Sequence, residues 1–158
     1  MDAKARRSAL LMIPYGLYVV GVADGATVTA FTANFLSQCS FEPPLLMLGV
    51  TRDGKSHAIL EKGRVFSVNM LASDQKEIAA AFFKAPEAKE SRFGEFAFEP
   101  GRTGAPLLLV APASVECKVI GIYPLGDHSV VVGEVVDAIV RREAKSLTME
   151  MTGWKYGG

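Results

Sequence analysis

Thr29-Ala-Phe-Thr-Ala-Asn-Phe-Leu-Ser-Gln-Cys-Ser-Phe-Glu-Pro-Pro44 is dominated by small and hydroxyl-bearing residues and closed by a rigid proline pair. It reads as a strand running into a turn. Few bulky side chains stand along it, so its backbone N–H groups can approach a flat, polar-edged ligand closely. Leu45 to Val50 follows as an unbroken apolar run, the signature of a buried strand. Upstream, Leu17 to Ala23 reads as a strand, Asp24-Gly25 as a hairpin turn, and Thr27 to Thr32 as the returning strand.

The rest of the chain continues in this style. Ala3 to Leu11 suits a short amphipathic helix that Pro14 stops. Lys55 to Lys62 reads as a short helix ended by Gly63, and Arg64 to Leu71 alternates like a strand. Asp74 and Glu77 have capping-box spacing and open a helix whose Ile78, Ala79, Phe82 and Phe83 form i,i+4 apolar pairs. Ala85 to Gly104 reads as a long loop anchored by Phe93, Phe96 and Phe98. Pro106 to Val110, Ser114 to Ile122 and Ser129 to Val140 complete the strands. Strands outnumber helices and are joined by turns or short helices. The expected architecture is therefore mainly β, an antiparallel barrel with peripheral helices, rather than a doubly wound sheet.

Composition narrows the function classes. The chain has 158 residues and no linker-like stretch or repeat, which reads as one domain over 1–158. A formal net charge of +0 argues against a general nucleic-acid binder, which needs a basic surface. No signal peptide or membrane span is expected, so the location read from the sequence is cytoplasmic. Cys39 and Cys117 lie far apart, form no metal spacing with His57 or His128, and read as buried free thiols. Neither the GxGxxG nor the GxxxxGK[ST] fingerprint is present, and nothing suggests a hydrolytic triad or paired glycosidase carboxylates.

Three constellations could carry chemistry. Thr32-Ala33-Asn34-Phe35, with Ser37, Cys39 and Ser40, offers extended backbone and an amide that can donate or accept. Its alternative is a strand end whose hydroxyls bond locally. Arg52-Asp53-Gly54-Lys55-Ser56-His57 opens a helix after an apolar strand, where free N–H groups and a positive dipole end suit a phosphate. Its alternative is a solvated turn with Ser56 as helix cap. Gly126-Asp127-His128 presents an imidazole at a strand mouth, or simply a turn histidine bonded to Asp127. Phe83 and Arg92 are weaker candidates, read by default as core and surface. Trp154 and Tyr156 sit in the tail, where packing against a partner subunit is the reading on offer.

Together, Thr32 through Pro44, Gly63-Arg-Val-Phe-Ser-Val-Asn69-Met-Leu71, Glu116-Cys117, and Gly126-Asp127-His128 with Gly133-Glu134-Val135 resemble the flavin reductase-like family, the FMN-binding split barrels. The resemblance runs in order from roughly Leu11 to Val140. It implies an antiparallel split β-barrel with peripheral helices that binds FMN, or less often FAD, usually as a homodimer with the flavin near the subunit interface. By position, Thr32, Ala33, Asn34, Phe35, Cys39 and Ser40 would line the isoalloxazine. Arg52, Lys55, Ser56 and His57 would hold the phosphate, Phe83 and Arg92 would add contacts, and His128 would meet the nicotinamide of NADH or NADPH. The family often has Ser where Phe35 stands, and Ser and Val where Gln38 and Cys39 stand. The tail from Thr148 also looks like the end of modules fused to diiron flavoproteins, although here the module would stand alone. The implied activity is NAD(P)H-dependent flavin reduction. The alternatives are an FMN electron carrier serving a redox partner protein, as in flavoredoxins, or a barrel for another phosphorylated ligand, like the pyridoxamine-phosphate oxidase relatives.

Overall fold

The computed structural model describes residues 1–158. Along the chain run α1 (Ala3–Leu10), β1 (Tyr18–Ala23), β2 (Val28–Ala33), β3 (Leu36–Ser40), β4 (Leu45–Thr51), α2 (Lys55–Gly63), β5 (Val65–Met70) and α3 (Lys76–Ala81). Then come β6 (Arg92–Phe93), β7 (Phe96–Pro100), β8 (Pro106–Leu108), β9 (Ala113–Tyr123), β10 (His128–Val140) and α4 (Met149–Thr152). Seven strands form one sheet in the order β2-β1-β5-β9-β10-β4-β3, and every neighbouring pair is antiparallel.

The two edge strands of this sheet, β2 and β3, are consecutive in the chain and joined only by Asn34 and Phe35. A connection that short holds the two edges within about 11 Å of each other at that corner. The sheet must therefore curl on itself. Register shifts between β9 and β10, at Val132/Gly133 and Val135/Asp137, supply the extra bend. The result is a curled, wholly antiparallel half-barrel, in keeping with the mainly β antiparallel barrel expected from the strand pattern.

β1 explains its own unbroken apolar sequence by being buried on both faces. Val20 and Val22 join Leu48, Leu60, Phe66, Val68 and Val131 in one core cluster. Val19 joins Leu71, Phe82, Phe93, Leu108 and Leu147 in the other. Between the layers, the buried Asn69 side chain donates to the Val19 carbonyl (3.1 Å) and accepts from Leu108 N–H and Ser114 Oγ (2.8 Å each). The Glu116 carboxylate accepts from Arg102 N–H (3.0 Å), Thr103 N–H (2.7 Å) and Thr103 Oγ1 (2.6 Å). Glu116-Cys117 is thus accounted for by structure: the carboxylate ties down a turn.

Four local expectations need correction. The opening stretch is not one strand but two, β2 and β3, hinged at Asn34-Phe35. The segment read as a loop from Ala85 contains β6 and β7, which pair with β8 in a second, three-stranded sheet. Its phenylalanines fold it down: Phe93 stacks on Phe98 at 4.5 Å and meets Phe82 edge-on at 5.7 Å. The capping box does not form. α3 begins after Gln75, whose side chain accepts from Ala72 N–H and donates to the Val110 carbonyl (2.9 Å each), while Asp74 stays exposed. Finally, both cysteines are free, but only Cys117 is buried and Cys39 is exposed. Burial, and then the neighbouring Glu116 charge, push the Cys117 thiol up to about 12.

Candidate functional site

Four pieces of chain converge at one end of the half-barrel. β4 ends at Thr51, directly opposite His128 at the start of β10. Only three residues separate β4 from α2, which begins at Lys55 and so points its N-terminus to the same place. The Asn34-Phe35 corner is tied to β4 because Gly49 N–H donates to the Phe35 carbonyl at 2.8 Å. Glycine is required at this contact, since a Cβ on Gly49 would lie 2.9 Å from the Phe35 Cβ. A cavity of about 640 Å³ opens between these pieces.

Eight of the thirteen residues singled out in the sequence line this cavity: Thr32, Ala33, Asn34, Phe35, Lys55, Ser56, Phe83 and His128. Thr32 is partly committed elsewhere, since its Oγ1 donates to the Ala79 carbonyl at 2.6 Å. Ser56 is 7% exposed, and what it exposes faces the cavity. It does not cap α2, whose N-cap is Gly54, without a side-chain bond. Lys55 reaches the rim and pairs with Glu87 at 3.4 Å.

The remaining five lie elsewhere. β3 leaves the corner and runs antiparallel to β4, which carries Ser40 to the Leu45 end, away from Thr51. Cys39 is exposed on this edge strand, with Sγ 3.7 Å from the Leu45 carbonyl. Arg52 donates from Nη1 to the Gly126 carbonyl (3.3 Å), and its N–H donates to the Asp127 carbonyl (3.1 Å). It therefore braces the turn that bears His128. His57 is buried on the inner face of α2, with Nε2 2.7 Å from Ser129 Oγ. Arg92 bonds the carbonyls of its own hairpin, Gly94 and Glu95.

His128 is both a turn histidine and a wall of the cavity. Its Nδ1 is 2.8 Å from Asp127 Oδ1, and this hydrogen bond is the main cause holding the Asp127 carboxyl below the usual carboxylate range. The pairing is therefore complete at neutral pH and is lost as acid protonates Asp127. With the proton on Nδ1, Nε2 accepts; Tyr156 Oη lies 3.0 Å from it and Thr51 Oγ1 3.2 Å.

The sequence reading missed the tail. Trp154, Lys155 and Tyr156 fold back over the cavity and line it. Tyr156 packs on Phe35 at 5.5 Å, beside Tyr15 and His128, each 5.4 Å from the same ring. Trp154 meets Phe83 edge-on at 4.9 Å. The sequence reading offers Trp154 and Tyr156 a partner subunit to pack on, and no contact within their own chain.

Residues 10–156 match the flavin reductase like domain family. The chain belongs to that family. It is 30% identical over 152 residues to the reductase component of 4-hydroxyphenylacetate 3-monooxygenase from Thermus thermophilus, covering 96% of this chain and 95% of that protein. It is also 30% identical over 135 residues to the "Probable flavin reductase" of Rhizobium meliloti, covering 85% of this chain but only 42% of that protein's length. Among solved structures, the Streptomyces globisporus NADH:FAD oxidoreductase SgcE6 is similar at a TM-score of 0.81 and 30% identity, covering 94% of this chain and 90% of that one. No helix is long and apolar enough to cross a membrane.

Proposed function

We propose that this chain is an NAD(P)H-dependent flavin reductase whose flavin lies in the cavity between the Asn34-Phe35 corner and α2. The observation that carries the reading is the convergence, in a member of this family, of a buried amide, a helix N-terminus and an imidazole on one cavity. The donor set fits a flavin nucleotide. About 640 Å³ lies within the roughly 300–1,000 Å³ typical of small-molecule sites. Asn34, 5% exposed, brings an amide for the polar edge of a ring, although its Nδ2 also donates to the Tyr156 carbonyl at 3.4 Å. Phe35 and Phe83 supply apolar walls. The first N–H groups of α2 have no intrahelical partner, and Gly54 brings no side chain to satisfy them, which leaves them for a phosphate with Lys55 and Ser56 alongside.

A bound flavin would supply the electron-accepting chemistry and NAD(P)H the hydride. The chain orients both nucleotides and needs no protein acid or base for hydride transfer. His128 steers the nicotinamide through Nε2, and Asp127 and Arg52 hold the turn that aims it. Rapid bleaching of the flavin on stopped-flow mixing with NADH or NADPH is the expected result, whereas an electron carrier would stay yellow. His128→Ala is expected to raise the KM for the nicotinamide nucleotide about three- to tenfold, the worth of one lost hydrogen bond. Because His128 also holds the Tyr156 hydroxyl, the decisive comparison is made in a Tyr156→Phe background, where unchanged KM and unchanged turnover would remove His128 from the site.

The acceptor fits a partner oxygenase fed with reduced flavin, in keeping with the Thermus relative's role as a reductase component. Flavin retained through gel filtration, with no loss after reduction, would count against delivery. A homodimer is also proposed. Phe41 and Met47 are exposed beside the unpaired edge of β3, a combination that a second copy would cover. Light scattering should give twice the chain mass, and Met47→Lys should halve it. A wild-type monomer would rule the dimer out.

A further inference from the structure

Residues 154–158 lie across the proposed site yet are fastened almost entirely by side chains. No backbone–backbone hydrogen bond reaches them, and Trp154 N–H donates only to Thr152 Oγ1 (3.0 Å). The holdfasts are Tyr156 Oη on His128 Nε2 (3.0 Å), Asn34 Nδ2 on the Tyr156 carbonyl (3.4 Å), and Trp154 between Phe83 and the Lys76 ammonium, which stands 5.1 Å from its ring. Glycines in the left-handed region bracket the segment, Gly153 at φ 72 and Gly157 at φ 118. Trp154 also packs against the core cluster around Phe82 and Tyr156 against Phe35, but with no ladder the segment opens at lower cost than the strands beneath it.

The same segment is a partition. Trp154, Lys155 and Tyr156 line both the 640 Å³ cavity and a neighbouring one of about 680 Å³ beside the α1–β1 connection. Moving them would join the two into one trough. Tyr156 Oη is the nearer of two hydroxyls at His128 Nε2 (3.0 Å, against 3.2 Å for Thr51 Oγ1), and a nicotinamide carboxamide must displace it to reach that lone pair.

We infer that residues Trp154–Gly158 form a strap, latched by the Tyr156 hydroxyl on His128, that shuts the nicotinamide place and is displaced when the nicotinamide nucleotide enters. The inference rests on the flavin reductase reading and adds a competitor to it. A closed strap weakens the apparent affinity for the nucleotide by the fraction of molecules that are open. Loosening the latch must therefore tighten nucleotide binding, the opposite of what removing a binding residue does.

Trp154 is the only tryptophan in the 158 residues, so it reports on the strap directly. The test uses the full chain loaded with FMN and titrated with NAD⁺, which binds without reducing the flavin. Trp154 emission should change and saturate with NAD⁺. Tyr156→Phe, which removes only the latching hydroxyl, should lower the NAD⁺ concentration at half-saturation roughly two- to tenfold, the range set by one net hydrogen bond. Tyr156→Ala should lower it at least as far. Two results overturn the strap: Trp154 emission that stays flat while calorimetry shows NAD⁺ binding, or a Tyr156→Phe protein that binds NAD⁺ more weakly, which would make Tyr156 part of a permanent wall. A protein that takes up FMN but binds no NAD⁺ by calorimetry overturns the flavin reductase reading and the strap with it.

Discussion

Gly63→Ala is expected to cost about 3 kcal/mol of stability or more, the upper end for overpacked sites. Gly63 ends α2 where the helix runs into the β1–β2 hairpin, and a Cβ there would lie 1.8 Å from the Ala23 carbonyl oxygen and 2.7 Å from the Asp24 Cα. Both are backbone atoms, so no side chain can swing aside. The hairpin cannot yield easily either. The Asp24 carboxylate accepts from Thr27 N–H (2.8 Å) and Ala26 N–H (3.1 Å) and pairs with Lys62 at 3.0 Å. The Thr27 bond, followed by Lys62, holds the Asp24 carboxyl below its ordinary range. The strain must therefore lift α2, which takes Ile59 and the fully buried Leu60 out of the core. Urea unfolding should show a clearly lowered midpoint, and the folded fraction should bind FMN more weakly because the N-terminus of α2 moves with the helix. Gly126→Ala is the control, since a Cβ there meets nothing within 4 Å. Equal midpoints for the two variants would refute the packing argument.

The same glycine shows what sequence could and could not reveal. It was legible as the end of a helix, but the reason is close approach. The left-handed position that usually calls for glycine is taken by Arg64, at φ 58. Strands with strong apolar character, such as β1, β4 and the β-branched part of β10, were readable because burial dictates their side chains. β3 was not. Its Ser37, Gln38 and Cys39 are exposed on an edge, and no alternation marks them. The site followed the same rule. Residues placed by local geometry, such as Asn34, Ser56 and His128, were singled out from motif and position, and all three line the cavity. Arg52 and His57 were grouped with Lys55 because they are adjacent in sequence. A helix turn, however, sends His57 inward with Leu60, and the β4–α2 turn sends Arg52 toward Gly126. Trp154 and Tyr156 were out of reach, because their partners Phe83 and His128 lie tens of residues away and nothing local encodes the meeting.

Lys55→Met combined with Ser56→Ala should weaken FMN binding about ten- to a hundredfold while leaving riboflavin affinity nearly unchanged, since a charge-assisted hydrogen bond is worth roughly 1.5–3 kcal/mol. The comparison isolates the phosphate, because the two ligands share ring and ribityl chain. Lys55 alone should give the smaller part. Its ammonium is half-exposed and must leave Glu87, so its gain on the phosphate is offset by a lost pair and screened by salt. Glu87→Gln should accordingly tighten FMN binding slightly, by freeing the ammonium. Some preference for FMN over riboflavin should survive even the double substitution, because the free N–H groups at the start of α2 belong to the backbone and no side-chain change removes them. Parallel loss of both ligands would instead mean that Lys55 and Ser56 shape the ring pocket, and the phosphate would have to be sought at another part of the rim.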